Sequence, residues 1–183
     1  MASVLVPLAE GCEELEAVTV VDLLRRAGIE VVTAALGDGP IAASRGVRLL
    51  ADCSLDEALG RDYDMLVLPG GAGGAANLEA DPRVREVLRK MADSGRFTAA
   101  ICAAPKVLAS AGLLDGKRAT GFPGALQGVD ALNLTYVEEP VVTDGKVITS
   151  RGPGTAMDFA LALIEILAGR AKRAEVESAL QRP

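Results

Sequence analysis

The chain has no histidine among its 183 residues. That absence excludes Ser-His-Asp and Cys-His catalysis within the chain, and with them the usual histidine-bearing zinc sites. Cysteine is scarce: Cys12, Cys53 and Cys102 are an odd number at wide spacing. They form neither a disulfide framework nor the CxxC pairs of a thiolate metal site, so no metal is expected, and free thiols point to a reducing cytoplasm. Aromatic residues make up only 3% of a chain that is half apolar, so the core must be built from Ala, Val, Leu and Ile. No apolar run is long enough to span a bilayer. Met1-Ala2-Ser3-Val4-Leu5 has no basic region before its apolar stretch, so no signal peptide is expected. Basic runs are missing too, and the net charge is −6. That argues against nucleic acid as a main partner and against an anionic membrane surface. Length alone predicts one domain spanning residues 1–183, large enough to bury its own core.

What is present is organised around Phe97-Thr98-Ala99-Ala100-Ile101-Cys102-Ala103-Ala104-Pro105. An apolar run ends at a cysteine with small neighbours, and a helix-like segment follows to about Gly112. Small residues are needed where a strand turns sharply into a helix at a nucleophile. Placed at a helix N-terminus, Cys102 would have a lowered thiol pKa. Read as packing alone, it is a small buried hydrophobe, as most free cysteines are.

Val4 to Leu8, Ile29 to Leu36 and Met65 to Leu68 read as strands. Helical spacing covers Glu13 to Arg26, with Leu15 expected to face the sheet, and Ala156 to Leu167. A capping box is expected at Ser54-Leu55-Asp56-Glu57, and a helix from Asp81-Pro82 to Gly95. Short strands are expected at Ile41 to Ser44, Val47 to Ala51, Arg118 to Phe122 and Leu134 to Val137. A hairpin turns at Asp144-Gly145, and a polar helix covers Ala171 to Leu180. Strands that are apolar on both faces and alternate with helices imply a parallel sheet covered on both sides. Ligands then bind at the carboxyl ends of strands, which brings together the loop after Leu8, Pro69-Gly70-Gly71 and Cys102.

Glu13, Glu14 and Glu16 open the first helix. As decoration they complement its dipole; as chemistry, one of them points at the thiol and moves protons. Backbone N–H groups at Gly70, Gly71 and Ala103 could hold an oxyanion. Arg151-Gly152-Pro153-Gly154-Thr155 either places a guanidinium near an anion or only shapes a turn. Cys53 reads as structural, and Cys12 as a secondary thiol near Glu16. No GxGxxG or phosphate-cradling loop is present, so no cofactor is expected.

Five stretches in register carry a resemblance: Glu13-Glu14-Leu15-Glu16-Ala17, Ser44-Arg45-Gly46-Val47, Val67-Leu68-Pro69-Gly70-Gly71, Ala99 to Pro105, and Thr149 to Thr155. Together they resemble the ThiJ/PfpI superfamily over nearly the whole chain, in the branch of the parkinsonism-associated deglycase and its bacterial YajL-like relatives. The resemblance implies a flavodoxin-like α/β/α sandwich with a mostly parallel sheet, a homodimer, and a Cys–Glu pair that carries over to Cys102 and Glu16. Arg45 and Arg151 are secondary site residues by the same register. Superfamily peptidases have histidine directly after the cysteine; here that residue is Ala103, which argues against peptidase activity. Phe122 stands where the parkinsonism-associated protein has histidine, and Thr120-Gly121-Phe122-Pro123 matches the bacterial relatives. The function implied is glutathione-independent conversion of a small 2-oxoaldehyde, or repair of its early adducts on glycated protein. A redox sensor and chaperone acting through oxidation of Cys102 is the alternative. The older thiazole-phosphate reading ranks last.

Overall fold

The computed structural model describes residues 1–182. The first half of the chain alternates β1 (Ser3–Leu8), α1 (Glu14–Arg26), β2 (Glu30–Ala35), the short antiparallel pair β3 (Ile41–Ala42) and β4 (Arg48–Leu49), β5 (Cys53–Ser54), α2 (Leu55–Ala58) and β6 (Met65–Leu68). Then come α3 (Ala72–Ala80), α4 (Pro82–Asp93), β7 (Phe97–Ile101), α5 (Pro105–Ser110), β8 (Arg118–Ala119), β9 (Thr135–Tyr136), the hairpin β10 (Val141–Asp144) and β11 (Val147–Ser150), α6 (Ala156–Ala168) and α7 (Arg170–Ala179). Seven strands form the central sheet in the order β10-β11-β7-β6-β1-β2-β5. All its pairings are parallel except β10 with β11. The fold is the flavodoxin-like α/β sandwich that the alternation implies.

Two apolar layers cover the sheet, and the period of two along each strand assigns the residues. Val4, Val6 and Leu8 of β1 and Met65 and Val67 of β6 face one way, onto α1 and α6 through Val20, Leu24, Phe159 and Leu163. Leu5, Leu66 and Leu68 face the other, onto α3, α4 and α5 through Leu78, Leu88 and Leu108. Phe159 is the largest of the fully buried side chains, which shows how aliphatic the core is.

Four expectations need correction. Leu15 does not face the sheet: it is 49% exposed, and Val18 is 51% exposed. The inward face of α1 carries Glu14, Glu16, Ala17, Val20, Leu23 and Leu24, because loops supply partners for the two acids and leave the Leu15–Val18 stripe outside. The sequence reading assigns no element to 72–80, yet α3 forms there with two glycines inside it. Glycine is a poor helix former, but a Cβ at Gly74 would collide with Cys12, so close packing selects it. Helix α5 starts at Pro105, three residues after Cys102, and has six residues. The strand from Arg118 pairs only over two residues, in a small separate sheet with β9.

Among the described residues, no helix is long and apolar enough to cross a membrane.

Candidate active site

Neighbouring strands β1, β6 and β7 end side by side, and the strand order reverses between β1 and β6. In open α/β sheets this reversal opens a crevice at the carboxyl ends. Glu16 from α1, Gly70-Gly71 after β6 and Cys102 after β7 meet there.

Cys102 has φ 64°, one of three non-glycine residues with positive φ among those described. Such a conformation costs about 1–3 kcal/mol and persists only when the surroundings hold it. They do so from both sides: Cys102 N–H donates to Ser150 O at 3.0 Å, and Phe122 N–H donates to Cys102 O at 2.8 Å. The turn is the strand-to-helix elbow that the small residues imply. Cys102 is buried, with 8% of its surface exposed.

Glu16 is fully buried. Its Oε2 accepts from Gly70 N–H at 2.8 Å, while Oε1 is buried without a hydrogen-bond partner. Burial is the main cause that lifts its carboxyl to about 7, against the pull of the Gly70 N–H and the Cys102 thiol. The Cys102 thiol is pushed up to about 12 by burial and then by the Glu16 charge, opposed by N–H groups of Gly71 and Ala103. The lowered thiol pKa expected from a helix N-terminus is not met, because α5 begins too far along and the nearest full charge is negative. The two groups therefore titrate as a pair: Glu16 ionises first, and its carboxylate can then take the thiol proton.

Glycine is required between them. A Cβ at Gly70 would lie 2.6 Å from Cys102 Cβ and 2.6 Å from Glu16 Oε2. Gly71 has φ +85°, and a Cβ there would run into the backbone of Gly11 and Glu13. Of the three N–H groups expected at an oxyanion, those of Gly71 and Ala103 face the sulfur. The Gly70 N–H is committed to Glu16.

The remaining candidate residues lie further out. Glu14 accepts from Ser44 Oγ at 3.0 Å and from Arg45 N–H at 2.9 Å. Although burial opposes it, these bonds, those from its own and the Val47 N–H, hold its carboxyl below the usual range. Glu14 thus fastens the Ser44–Val47 turn. Glu13 accepts from the same hydroxyl at 2.6 Å. Arg45 is exposed and reaches the site region through its backbone. Arg151 is half-buried, with its N–H on Pro140 O. Neither guanidinium forms an ion pair among the described residues. Cys12 is fully buried, and burial, followed by the Glu14 charge, pushes its thiol up to about 11. Cys53 sits on the edge strand β5, half-buried, its thiol also raised by burial.

Sequence reasoning missed the buttress of Ser150 and Gly121. A Cβ at Gly121 would lie 3.1 Å from Cys102 O. The available signal was the small residues Thr120, Gly121, Ser150 and Gly152, whose spacing says nothing about the elbow until β11 pairs with β7.

An α/β sandwich whose cysteine elbow faces a buried glutamate across a diglycine loop defines a class of proteins, and comparison places the chain within it. Residues 2–166 match the model of the DJ-1/PfpI family, and the chain belongs to that family. It is 46% identical over 178 residues to protein DJ-1 homolog B of Arabidopsis thaliana, covering 96% of this chain but only 40% of that protein. It is 34% identical over 171 residues to the glutathione-independent glyoxalase DJR-1.2 of Caenorhabditis elegans, covering 93% of this chain and 90% of that one. Among solved structures, Drosophila melanogaster DJ-1beta superposes with a TM-score of 0.95 at 44% identity, covering 100% of this chain and 98% of that chain. Oxidised Toxoplasma gondii DJ-1 gives 0.92 at 36%, covering 98% of each.

Proposed function

We propose that the protein converts small 2-oxoaldehydes to 2-hydroxy acids without glutathione, with Cys102 as nucleophile and Glu16 as proton carrier. The observation that carries the reading is the buried Glu16 carboxyl, lifted to about 7 and facing the Cys102 thiol, with one of its oxygens lacking a hydrogen-bond partner. A base poised near neutral pH is the most effective one. The likeness to a glyoxalase of the same family supports it.

The thiol adds to the aldehyde carbon as its proton passes to Glu16, and the carbonyl oxygen becomes an oxyanion. N–H groups of Gly71 and Ala103 stabilise that charge. Glu16 returns the proton to this oxygen, giving a hemithioacetal. The carboxylate then removes the hydrogen on the former aldehyde carbon, and the electron pair moves through an enediol. Reprotonation at the neighbouring carbon leaves a 2-hydroxyacyl thioester. Water attacks that thioester and expels the Cys102 sulfur. One carbon is oxidised and its neighbour reduced, so no external oxidant or cofactor enters. An early adduct of the same aldehyde on a protein amine or thiol offers the same carbon, which makes repair of glycated protein a second use of the site.

A redox-sensor reading has its own support in the oxidised relative. Two peroxide molecules would take the sulfur to a sulfinate, releasing two waters, and protonated Glu16 would donate to it.

Leu15, Val18, Val47 and Leu50 are 49%, 51%, 50% and 78% exposed. Val18 and Leu50 line a groove of about 290 Å³ together with Ala17, Val21 and Leu49. This apolar face fits a homodimer, to be checked by light scattering. Free thiols fit a reducing cytoplasm.

The test is loss of methylglyoxal without glutathione, with the 2-hydroxy acid identified as product. Cys102→Ala and Glu16→Gln should each abolish it while circular dichroism is unchanged. Near-normal turnover in Glu16→Gln removes the proton-carrier role and favours the sensor.

A further inference from the structure

The chain has five aromatic side chains, three Phe and two Tyr. Phe159 and Tyr63 are buried in the two layers, and Phe97 is half-buried beneath the Lys146 ammonium at 3.9 Å. Phe122 differs: it is 51% exposed, and it sits at the cysteine elbow. Its N–H is bonded to Cys102 O at 2.8 Å. Its ring lies against Gly152, where a Cβ would be 3.4 Å from the ring Cδ2. Gly152 lies two residues after Ser150, whose carbonyl holds the Cys102 N–H. The Phe122 backbone is thus tied to the elbow, and its ring rests on the loop that follows β11.

The loop that carries it is fixed. Phe122 O accepts from Ala125 N–H at 2.8 Å. Gly121 packs against Cys102 O and Pro105, and Gly121 O takes the Tyr136 hydroxyl at 3.5 Å. Tyr136 is itself 38% exposed. A half-exposed aromatic ring on a loop whose backbone is bonded to the nucleophile's own carbonyl has an unfilled apolar face, and aromatic groups pair with such faces beyond the gain from area alone.

We infer that Phe122 is a specificity-determining residue: its ring is the platform for the substituent of the 2-oxoaldehyde, and it selects aryl or bulky alkyl substituents over hydrogen and methyl. This rests on the proposed glyoxalase reading, so the test has one arm that depends on turnover and one that does not.

In the first arm, kcat/KM is measured for phenylglyoxal and methylglyoxal. The wild type should prefer phenylglyoxal, and Phe122→Ala should lower the ratio on the order of tenfold, chiefly through KM. Phe122→Leu, which keeps apolar bulk without the ring, should fall between and covers the case in which Phe122→Ala fails to fold. In the second arm, Cys102 is alkylated with iodoacetanilide and with iodoacetamide and read by mass spectrometry. The aryl reagent should be favoured in the wild type and lose that advantage in Phe122→Ala. If neither aldehyde is turned over, the glyoxalase reading falls, and the alkylation arm still decides on the platform. A wild type with no aryl preference in alkylation overturns the inference, as does a phenylglyoxal-to-methylglyoxal ratio that Phe122→Ala leaves unchanged. A light-scattering mass that drops in Phe122→Ala also overturns it, because the ring would then be covered by a second copy.

Discussion

Replacing Glu16 with Gln should make the protein more stable above neutral pH while removing the proposed activity. Glu16 is fully buried, and burial, its largest influence, raises its carboxyl from 4.5 to about 7. Below pH 4.5 both folded and unfolded chains hold the proton, and the group contributes no pH dependence. Between pH 4.5 and 7 the unfolded chain ionises while the folded chain keeps its proton, so stability falls as pH rises. Above about 7 the folded pair has lost its proton too, and the loss levels off at about 3 kcal/mol. The result is the same whichever atom of the Cys102–Glu16 pair keeps the remaining proton. Glutamine keeps an oxygen for the Gly70 N–H and carries no charge. Its NH₂ would fill the place of Oε1, which has no hydrogen-bond partner, and burying that donor takes back about 1 kcal/mol. The variant should therefore be about 1 kcal/mol less stable than wild type at pH 4 and about 2 kcal/mol more stable at pH 8. For a chain of this size the gain at pH 8 is about 4–8 °C in Tm. Urea unfolding of both proteins at half-unit steps from pH 4 to 8.5 gives the difference directly, and subtraction removes other titrating groups. A difference that stays flat with pH, or a wild type that gains on the variant as pH rises, refutes the reasoning.

Gly70→Ala should destabilise the fold by about 2–5 kcal/mol, from overpacking against Cys102 and loss of the buried Gly70–Glu16 hydrogen bond; a midpoint of denaturation within error of wild type would count against the close approach. Iodoacetamide should modify Cys102 before Cys12 and Cys53, with a rate that rises around pH 7 as Glu16 ionises and without that rise in Glu16→Gln; equal labelling of the three thiols would contradict the assignment. Glu14→Gln should speed hydrogen exchange at the Arg45 and Val47 amides, read by mass spectrometry, because Glu14 fastens that turn, while leaving aldehyde turnover close to wild type. Phe159→Ala should cost about 3–5 kcal/mol in urea denaturation, as the largest fully buried side chain of its layer.

Local chemistry made much of this legible in advance. Strands such as Met65–Leu68 are apolar at every position because both faces of a parallel sheet are covered, so their pattern announces the architecture without any contact being known. The small residues around Cys102 report the elbow, since a turn with φ 64° leaves no space for bulk. The rule that loops gather at strand carboxyl ends then places Gly70-Gly71 beside that cysteine. Tertiary structure decided the rest. Glu13, Glu14 and Glu16 have one chemistry and one neighbourhood in sequence, and resemblance alone distinguished Glu16. In the fold, Ser44 and Arg45 claim Glu14, whereas Glu16 turns to Gly70 and the thiol. Leu15 and Val18 have the spacing of a core stripe but lie outside, because the inward face of α1 is set by what meets it. The same holds for α3, whose glycines look like a loop until the backbone of Cys12 is seen packed against them. The direction of the thiol pKa also follows from contact: the helix expected to lower it begins three residues late, and a buried carboxyl stands beside the sulfur. Periodicity records preferences along one segment, but the cost of burying a charge depends on a partner that another segment brings.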